Sequence, residues 1–401
     1  MTGRVTIALI ALLAAARPVA ASPLEMFGAG GRSPALAGTG GASAEDFDAL
    51  YLNPAGLAGV AGKRLHAGLL YGTFQLDNVD RPAADAWGVS IGIVLRLRLG
   101  GALRDRLSFG IGLLSPPTVV TRLRAPAAGT PYYALLENRA QTIGVLTGVG
   151  VQLSRRWRAG VSLLALGALE GTLHIIGDPA GRVAATTDLV TVVDVAPITG
   201  VSWQLRPALA LAAVFRMPSQ SSYHIEVDDD LGGKIPIELP DILLAGEPHY
   251  DPMAVSVEAD WRVTPRLRAL AQLAWQRWSG LPVPSRDPID DGVPDAAPGF
   301  HDTVVPRAAV EAVLAGGLIG RAGAAFLMTP APRDSELIDS HRVLVGAGLG
   351  LVRVHPLPLR IDLWAQLHQL IARDHPLADG SSVRSRGRIL VGGLSVGMDF
   401  E

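Results

Sequence analysis

The chain has 401 residues, a formal net charge of −2 at pH 7 and a sequence pI near 6.5, so its charge gives no indication of a nucleic-acid partner. It contains no cysteine, which excludes a disulfide scaffold. The mean hydropathy of +0.30 fits either a large soluble core or a surface that faces lipid on alternate residues.

The first residues predict an export signal. Arg4 precedes an apolar run over residues 5–16, and Val19-Ala20-Ala21 supplies the small residues of a cleavage site. Arg17-Pro18 interrupts the run before the roughly 20 apolar residues that an anchor helix needs. We therefore expect residues 1–21 to be a signal peptide.

The next segment, residues 22–62, is rich in glycine and precedes every strand-like stretch. Its second half reads DALYLNPAGLAGV, residues 48–60, an apolar run that is broken in the middle. This run is too short to cross a membrane as a helix and too interrupted for an ordinary core helix.

A short helix is predicted at the start of this run. Ser43, followed three residues later by Asp46, favours a capped helix that ends at Leu52. Pro54 cannot continue the helix and pushes Asn53 toward extended or turn geometry. The Asn53 side chain can also bond to its own backbone and so hold a turn.

From residue 63 onward, the dominant period is two. Residues 253–261, MAVSVEADW, place Val255, Val257 and Trp261 on one side and Glu258 and Asp260 on the other. About fourteen such segments follow one another, at 64–76, 87–99, 107–114, 138–153, 156–171, 189–204, 207–217, 252–262, 266–278, 304–315, 320–329, 342–354, 359–372 and 387–400.

The connections between these segments alternate in length. Short ones lie at 154–155, 206–207, 263–265 and 355–358. Long polar ones lie at 115–137, 172–188, 218–251, 279–303 and 373–386. Short turns at one end, long loops at the other and an even number of strands are typical of an outer-membrane barrel.

Tryptophans lie near both ends of the predicted strands. Trp157, Trp203 and Trp261 stand beside short turns, and Trp87, Trp275 and Trp278 stand beside long loops. Two aromatic belts are expected where a barrel crosses the two membrane interfaces.

Two glycine-rich stretches invite a different interpretation. GVGVQL at 148–153 and GAGLGL at 346–351 resemble parts of a phosphate-binding loop, but neither opens a helix in a βαβ unit. Spaced glycines within strands instead predict curvature or a close approach of another backbone.

Several stretches together resemble the FadL/TodX family of outer-membrane transporters for long-chain fatty acids and other hydrophobic compounds. The matches occur in chain order from residue 27 to the end. They are FGAGGRSPALAGTGGASAEDFDALYLNPAGLAGV at 27–60, LALAAVFRMPSQ at 209–220, LAWQRWSGL at 273–281 and RAGAAFLMTPAPRDSELIDSHRVLVGAGLG at 321–350.

The resemblance implies an all-β fold: a transmembrane antiparallel β-barrel of about fourteen strands with an N-terminal hatch inside the lumen. Residues 22–62 would be the hatch and residues 63–401 the barrel. Asn53, Pro54, Ala55 and Gly56 would form the hatch turn that lines the gate. The alternative is that they simply end a helix.

It also implies passive uptake of hydrophobic compounds, most notably long-chain fatty acids, by ligand-triggered movement of the hatch. The apolar landing site would be on the 115–137 loop, with candidates Tyr132, Tyr133, Leu135 and Leu136. An acidic lipid would also need a cation, and candidates are Arg139, Arg216 and Arg262, although a lumenal or rim charge explains each of them more simply.

In the resembled family, the ligand leaves sideways through a gap at a kinked third strand. Ser115-Pro116-Pro117 ends the short third strand here, and proline removes donors from the strand ladder. A lateral gate at these residues is one interpretation, and ordinary loop prolines are the other.

Other classes of function have weaker support. The acidic stretch at 287–295 lacks EF-hand spacing, the histidines show no paired ligand spacing, and no Gly-x-Ser-x-Gly elbow occurs. We therefore expect no enzyme activity, metal or cofactor. The expected partners of this monomeric barrel are outer-membrane lipid and a fatty acid or aromatic hydrocarbon; the alternative function is a general porin.

Overall fold

The computed structural model describes residues 23–77, 85–116, 133–137, 143–177, 183–230, 242–283, 297–333, 335, 337–352, 358–376 and 380–400. The predicted signal peptide and the acidic stretch at 287–295 lie outside these residues. Both therefore stay predictions.

Strands make up most of the described chain. They are β1 (Lys63–Leu76), β2 (Ala86–Leu97), β3 (Leu107–Ser115), β4 (Gly144–Gln152), β5 (Trp157–Gly177), β6 (Val183–Arg206), β7 (Leu209–Arg216), β8 (Ser219–Asp230), β9 (Ile242–Asp251), β10 (Met253–Thr264), β11 (Leu267–Arg277), β12 (Thr303–Val313), β13 (Leu318–Leu327), β14 (Arg342–Val352), β15 (Leu359–Pro376) and β16 (Ser382–Phe400).

Helices are short. They are α1 (Pro23–Phe27), α2 (Arg32–Ala35), α3 (Ala49–Leu52) and α4 (Ala134–Glu137), with 3-10 turns at Gly41–Ser43, Pro54–Gly59, Gly101–Leu103 and Trp278–Gly280. In the part of the chain that the structure describes, no helix has the length and apolarity to span a membrane.

Fourteen strands, β1–β7 and β10–β16, form one closed antiparallel barrel. β7 pairs with β10, and the ring closes where Lys63 of β1 stands opposite Phe400 of β16. Closure leaves no unpaired edge in the ring, which is the condition for a sheet to cross a lipid bilayer. The predicted fold class and strand number are confirmed.

β8 and β9 were predicted as loop and are instead a hairpin outside the ring. β8 runs parallel to the far half of β5, with Leu169 opposite Tyr223. No parallel pair was expected, because such a pair joins strands that are distant along the chain.

The barrel is polar inside and apolar outside. On β10, Ser256, Glu258 and Asp260 are buried, whereas Val257 and Trp261 are more than half exposed. This distribution is the reverse of that in a soluble protein, and it follows from the period-two pattern once the polar side faces the lumen. The apolar outer face is suited to contact with lipid.

The two ends of the barrel differ. The short-turn end carries the tight connections such as 153–156, 207–208 and 265–266, and the long-loop end carries the others. Trp157 and Trp261 are exposed near the first end, and Trp87 and Trp275 are exposed near the second. Trp278 does not belong to this belt; it is buried at the long-loop end, with its ring centroid 5.9 Å from that of Tyr250.

Candidate functional site

Residues 23–62, called here the N-terminal segment, pack against the lumenal faces of strands on all sides of the ring. Phe47 contacts β2 and β3 at Gly92 and Gly112, while Leu36 contacts β13 on the other side at Gly323. Apolar side chains of the segment are buried almost throughout. The segment therefore occupies the lumen that fourteen strands enclose.

The turn at Asn53 ties this segment to the barrel wall. Asn53 is fully buried and extended, and its side-chain oxygen accepts a hydrogen bond from the Ala55 amide at 3.1 Å. Its Nδ2 donates to the Gly41 carbonyl at 3.0 Å and to Ser202 Oγ of β6 at 2.9 Å. One side chain thus ends α3, starts the 3-10 turn and anchors the turn to β6.

The wall behind this turn is made of three glycines in register. Gly150 of β4 stands opposite Gly160 of β5, and Gly160 stands opposite Gly200 of β6. A Cβ would lie 2.7 Å from Ala58 N at Gly150 and 2.3 Å from Pro54 at Gly160. Backbone therefore lies directly on backbone, as the spaced glycines of 148–153 predicted.

A second glycine-lined contact lies across the lumen. Gly323 of β13 stands opposite Gly346 of β14. A Cβ would lie 2.4 Å from the Leu36 backbone at Gly323 and 2.5 Å from the Pro34 backbone at Gly346, at the end of α2. At Gly348, the nearest atom would be the Cβ of Ala35, at 2.7 Å. The glycines of the stretch at 346–351 thus allow the N-terminal segment to approach the wall closely, as those of the stretch at 148–153 do.

Glu258 of β10 holds the middle of the N-terminal segment. Its carboxylate accepts hydrogen bonds from the backbone amides of Gly40, Gly41 and Ala42, at 3.0–3.1 Å. Gly40 has a φ of 114°, a conformation that favours glycine. Three converging amides make an anion site, here filled by a side chain of the barrel.

Glu25 on α1 joins the segment to a second polar group. Its carboxylate lies 2.7 Å from Arg216 Nη1 of β7 and 3.2 Å from Arg307 Nη2 of β12. The Tyr51 hydroxyl donates to it at 2.9 Å, and Gln276 Nε2 donates at 3.1 Å. Arg216, a predicted ligand-binding residue, is therefore paired with the protein's own carboxylate; Arg262 is an exposed rim residue.

A third polar group lies toward the short-turn end, around a cavity of about 160 Å³. Arg32 donates from Nε to Glu311 at 2.8 Å, and Arg321 contacts both Glu311 and Asp362. Asp48 also lines this cavity, and its Oδ1 accepts no hydrogen bond from the described residues.

Burial raises the pKa of Asp48 to about 7, and the neighbouring Asp46 adds to the increase while Arg32 opposes it. The Asp48 carboxyl therefore titrates in the neutral range, unlike an exposed aspartate. The predicted capping of α3 by Ser43 is wrong: Asp48 precedes the helix, and Ser43 Oγ instead accepts a hydrogen bond from Arg32 at 3.1 Å.

At the long-loop end, α4 lies over the lumen. Tyr133 and Leu136 are buried with Phe27 and Trp364, and Leu135 is buried in a separate cluster that includes Phe300. The Tyr133 hydroxyl donates to the Asp77 carbonyl at 3.2 Å. These three predicted ligand contacts are thus covered in this state; Tyr132 and Arg139 lie outside the described residues.

β3 and β4 are among the short strands of the ring, with 9 residues each, as is β7 with 8, whereas β5 has 21 and β6 has 24. Ser115 is the last residue of β3 and stands opposite Val89, and Pro116 follows it. Pro117 lies outside the described residues. The predicted lateral-gate residues Ser115 and Pro116 therefore lie at the end of β3 and directly after it.

Sequence reasoning named the Asn53 turn and Arg216 as candidates but did not name Glu25 or Glu258. Glu258 is an ordinary acidic residue on the polar side of a period-two strand, Glu25 precedes the strands, and nothing local shows what either residue faces. Among the described residues, no group of histidine, aspartate and glutamate side chains is arranged to hold a metal ion.

Comparison with solved structures identifies the fold. The chain is similar to a FadL homologue from Pseudomonas aeruginosa, with 15% identity, 93% of this chain and 98% of that chain covered, and a TM-score of 0.62. It is also similar to the P. putida toluene transporter TodX, with 15% identity, coverage of 94% and 99%, and a TM-score of 0.60.

The Ralstonia pickettii toluene transporter TbuX has 13% identity, coverage of 94% and 99%, and a TM-score of 0.55. No protein-family model and no curated sequence matches the chain. The predicted resemblance to the FadL/TodX family is thus confirmed in the fold, along nearly the full length of each chain.

Proposed function

We propose that this protein is an outer-membrane channel for the passive uptake of hydrophobic compounds, and that the N-terminal segment is its hatch. The observation that carries the proposal is the filled lumen: the segment contacts opposite walls through the glycines at Gly160 and Gly346. The apolar outer face of the barrel supports the membrane location, and the toluene transporters that share the fold support the class of cargo.

In this proposal, the observed arrangement is the closed state. The cavity lined by Glu25 and Arg216 measures about 20 Å³, which is room for about one water molecule and not for a hydrocarbon. Entry of a ligand therefore requires α4 and the hatch to move. Because the glycines present bare backbone, the hatch can shift along the wall without forcing side chains past one another.

The ligand class follows from what the polar contacts allow. Helix α1 presents the Glu25 carboxylate to Arg216 and Arg307, beside the apolar side chains of Met26 and Phe27. A fatty acid combines the same two features, so its carboxylate would compete with Glu25 for the two arginines. A neutral aromatic hydrocarbon would leave that ion pair in place and use only the apolar contacts.

Sideways release suits such a cargo better than passage to the short-turn end. The cavity at the short-turn end is lined by charged groups such as Arg32, Asp48 and Glu311. Each methylene moved from an apolar site into a polar one costs about 0.8 kcal/mol. Release at the end of the nine-residue strand β3, beside Ser115 and Pro116, would instead deliver a ligand directly into the membrane.

Planar-bilayer conductance and growth test this proposal. We expect the full chain to conduct small ions rarely, and a variant lacking residues 27–58 to conduct them continuously. Expression in a bacterium that lacks its own fatty-acid transporter should restore growth on oleate. A full chain that conducts steadily and does not restore growth would establish the general porin instead.

A further inference from the structure

The outer face of the barrel contains a hollow of about 540 Å³ that spans β6, β7, β10 and β11. Its floor is formed by Ala213, Ala259 and Ala271. Ala259 stands opposite Ala271 in the β10–β11 pair, and Ala213 stands opposite Val257 in the adjacent row. Small side chains in two adjacent rows leave a depression in a surface that is otherwise covered by leucine and valine.

Aromatic rings border the hollow on the side of the short-turn end. Trp157 and Trp203 form a cross-strand pair whose rings are stacked, with centroids 5.1 Å apart and planes 5° apart. Tryptophan is the residue that proteins place at the depth of lipid headgroups. The hollow therefore begins at the interface and extends toward the centre of the membrane.

The turns below the hollow are strongly basic. Arg206, Arg262 and Arg266 are all exposed, and the amide of Arg262 donates to the Ala208 carbonyl at 2.8 Å, which joins the two turns that carry them. Residues 203–209 and 261–268 contain no acidic residue. Among the described residues, none of the three arginines has an ion-pair partner, so their charge is open to a ligand.

We propose that the hollow and these three arginines bind one anionic phospholipid of the leaflet at the short-turn end. An acyl chain would lie on the alanine floor. Its methylenes would exchange contacts with more mobile lipid for van der Waals contacts with the depression that they fill. The phosphate would lie at the arginines, whose planar guanidinium groups suit phosphate oxygens. This site requires only that the barrel spans a membrane, and it does not depend on the hatch.

Native mass spectrometry of the full chain in detergent tests the site, with phosphatidylglycerol and phosphatidylethanolamine of identical acyl chains as probes. We expect one saturable phosphatidylglycerol per chain and weaker binding of phosphatidylethanolamine. Replacing Arg206, Arg262 and Arg266 by glutamine should weaken phosphatidylglycerol binding by about fivefold for each arginine removed. Ala259→Leu with Ala271→Leu should weaken both lipids by filling the hollow.

Matched controls are available on the same barrel. Ala322 and Ala347 are exposed partners on β13 and β14. Arg98, Arg104 and Arg106 are exposed in the connection between β2 and β3 at the same end of the barrel, where Arg104 lies 3.8 Å from Asp105. The corresponding leucine and glutamine variants should bind like the unaltered chain. Equal binding of the two lipids, or equal losses in the control variants, would overturn the proposal. So would a dimer that is lost when the hollow is filled, which would assign the surface to a second copy.

Discussion

The side-chain oxygen of Asn53 lies directly against Gly200 of β6, where a Cβ would stand 2.1 Å from it. The Asn53 side chain therefore packs directly on the bare backbone of the barrel wall. The contact lets Asn53 reach Ser202 on the same strand at 2.9 Å. A residue that ends a helix is thus also a point of attachment to the wall.

Gly200→Ala should loosen this attachment. Overpacking of a close contact typically costs about 1–3 kcal/mol, and the hatch can relieve it by leaving its position. We expect the fraction of time that single channels conduct in planar bilayers to rise about tenfold or more. Gly392→Ala, where the nearest atom to the new Cβ is at an ordinary 3.5 Å, should conduct like the unaltered chain. A Gly200→Ala variant that conducts no more often than the unaltered chain would contradict this role of the contact.

Asn53→Ala and Pro54→Ala separate the two interpretations of the hatch turn. The Asn53 side chain makes buried hydrogen bonds to Ala55 and Ser202, so its removal should cost about 1–3 kcal/mol and increase conductance. Pro54→Ala keeps those bonds and should have a smaller effect. If the proline variant conducts more than the asparagine variant, ending the helix is the main use of the turn.

Glu258→Gln should weaken the middle of the hatch. The charged carboxylate accepts hydrogen bonds from three backbone amides. A glutamine side chain has only one accepting oxygen, and its NH2 group would face backbone N–H groups that also donate. Hydrogen bonds to charged groups contribute about 1.5–3 kcal/mol each. Hydrogen exchange should become faster at Gly40, Gly41 and Ala42. Glu170→Gln, at an exposed position, is the control and should leave these amides unchanged.

Asp48 should make closure dependent on pH. Its pKa of about 7 in the docked hatch lies above the ordinary value of 3.8, so the docked state binds a proton that the released state does not. Docking is therefore favoured toward low pH and weakens as pH rises through the range up to about 7. Conductance should be greater at pH 8 than at pH 5.

Asp48→Asn removes this titration. The groups that face Asp48 are Asp46, Asp362, Arg32 and Arg64, and the substitution leaves all of them in place. The conductance of the variant at pH 8 should be as low as that of the unaltered chain at pH 5. Asp105→Asn, on an exposed turn, should keep the original pH dependence. A pH dependence that survives in the Asp48 variant would assign it to another group.

Glu25→Gln should distinguish acidic from neutral ligands. The substitution removes the charge that competes for Arg216 and Arg307, so a fatty acid should bind more tightly while toluene binding changes little. A roughly fivefold to tenfold change would match the loss of one partly buried ion pair. Tryptophan fluorescence titration with oleate and with toluene measures both. An equal change for both ligands would show that Glu25 acts only through hatch stability.

The strands could be predicted from the sequence because their signal is local. Alternation in stretches such as MAVSVEADW sets which side of a strand is polar, and the lengths of the connections set the two ends of the barrel. The Asn53-Pro54 turn was also predictable, since proline and the residue before it have restricted backbone angles whatever surrounds them. The glycines of 148–153 and 346–351 predicted close approach without saying of what.

The attachments of the N-terminal segment were decided only by the tertiary structure. Gly40 and Glu258 are 218 residues apart, and nothing in either neighbourhood specifies the other. The same is true of Glu25 with Arg307, and of the parallel pairing of β5 with β8. Ring closure brings distant strands to fixed positions around one lumen, and only then does a lone carboxylate acquire partners. The local alternation of polar and apolar residues determined the strands of the barrel, and closure of the ring determined which side chains meet inside its lumen.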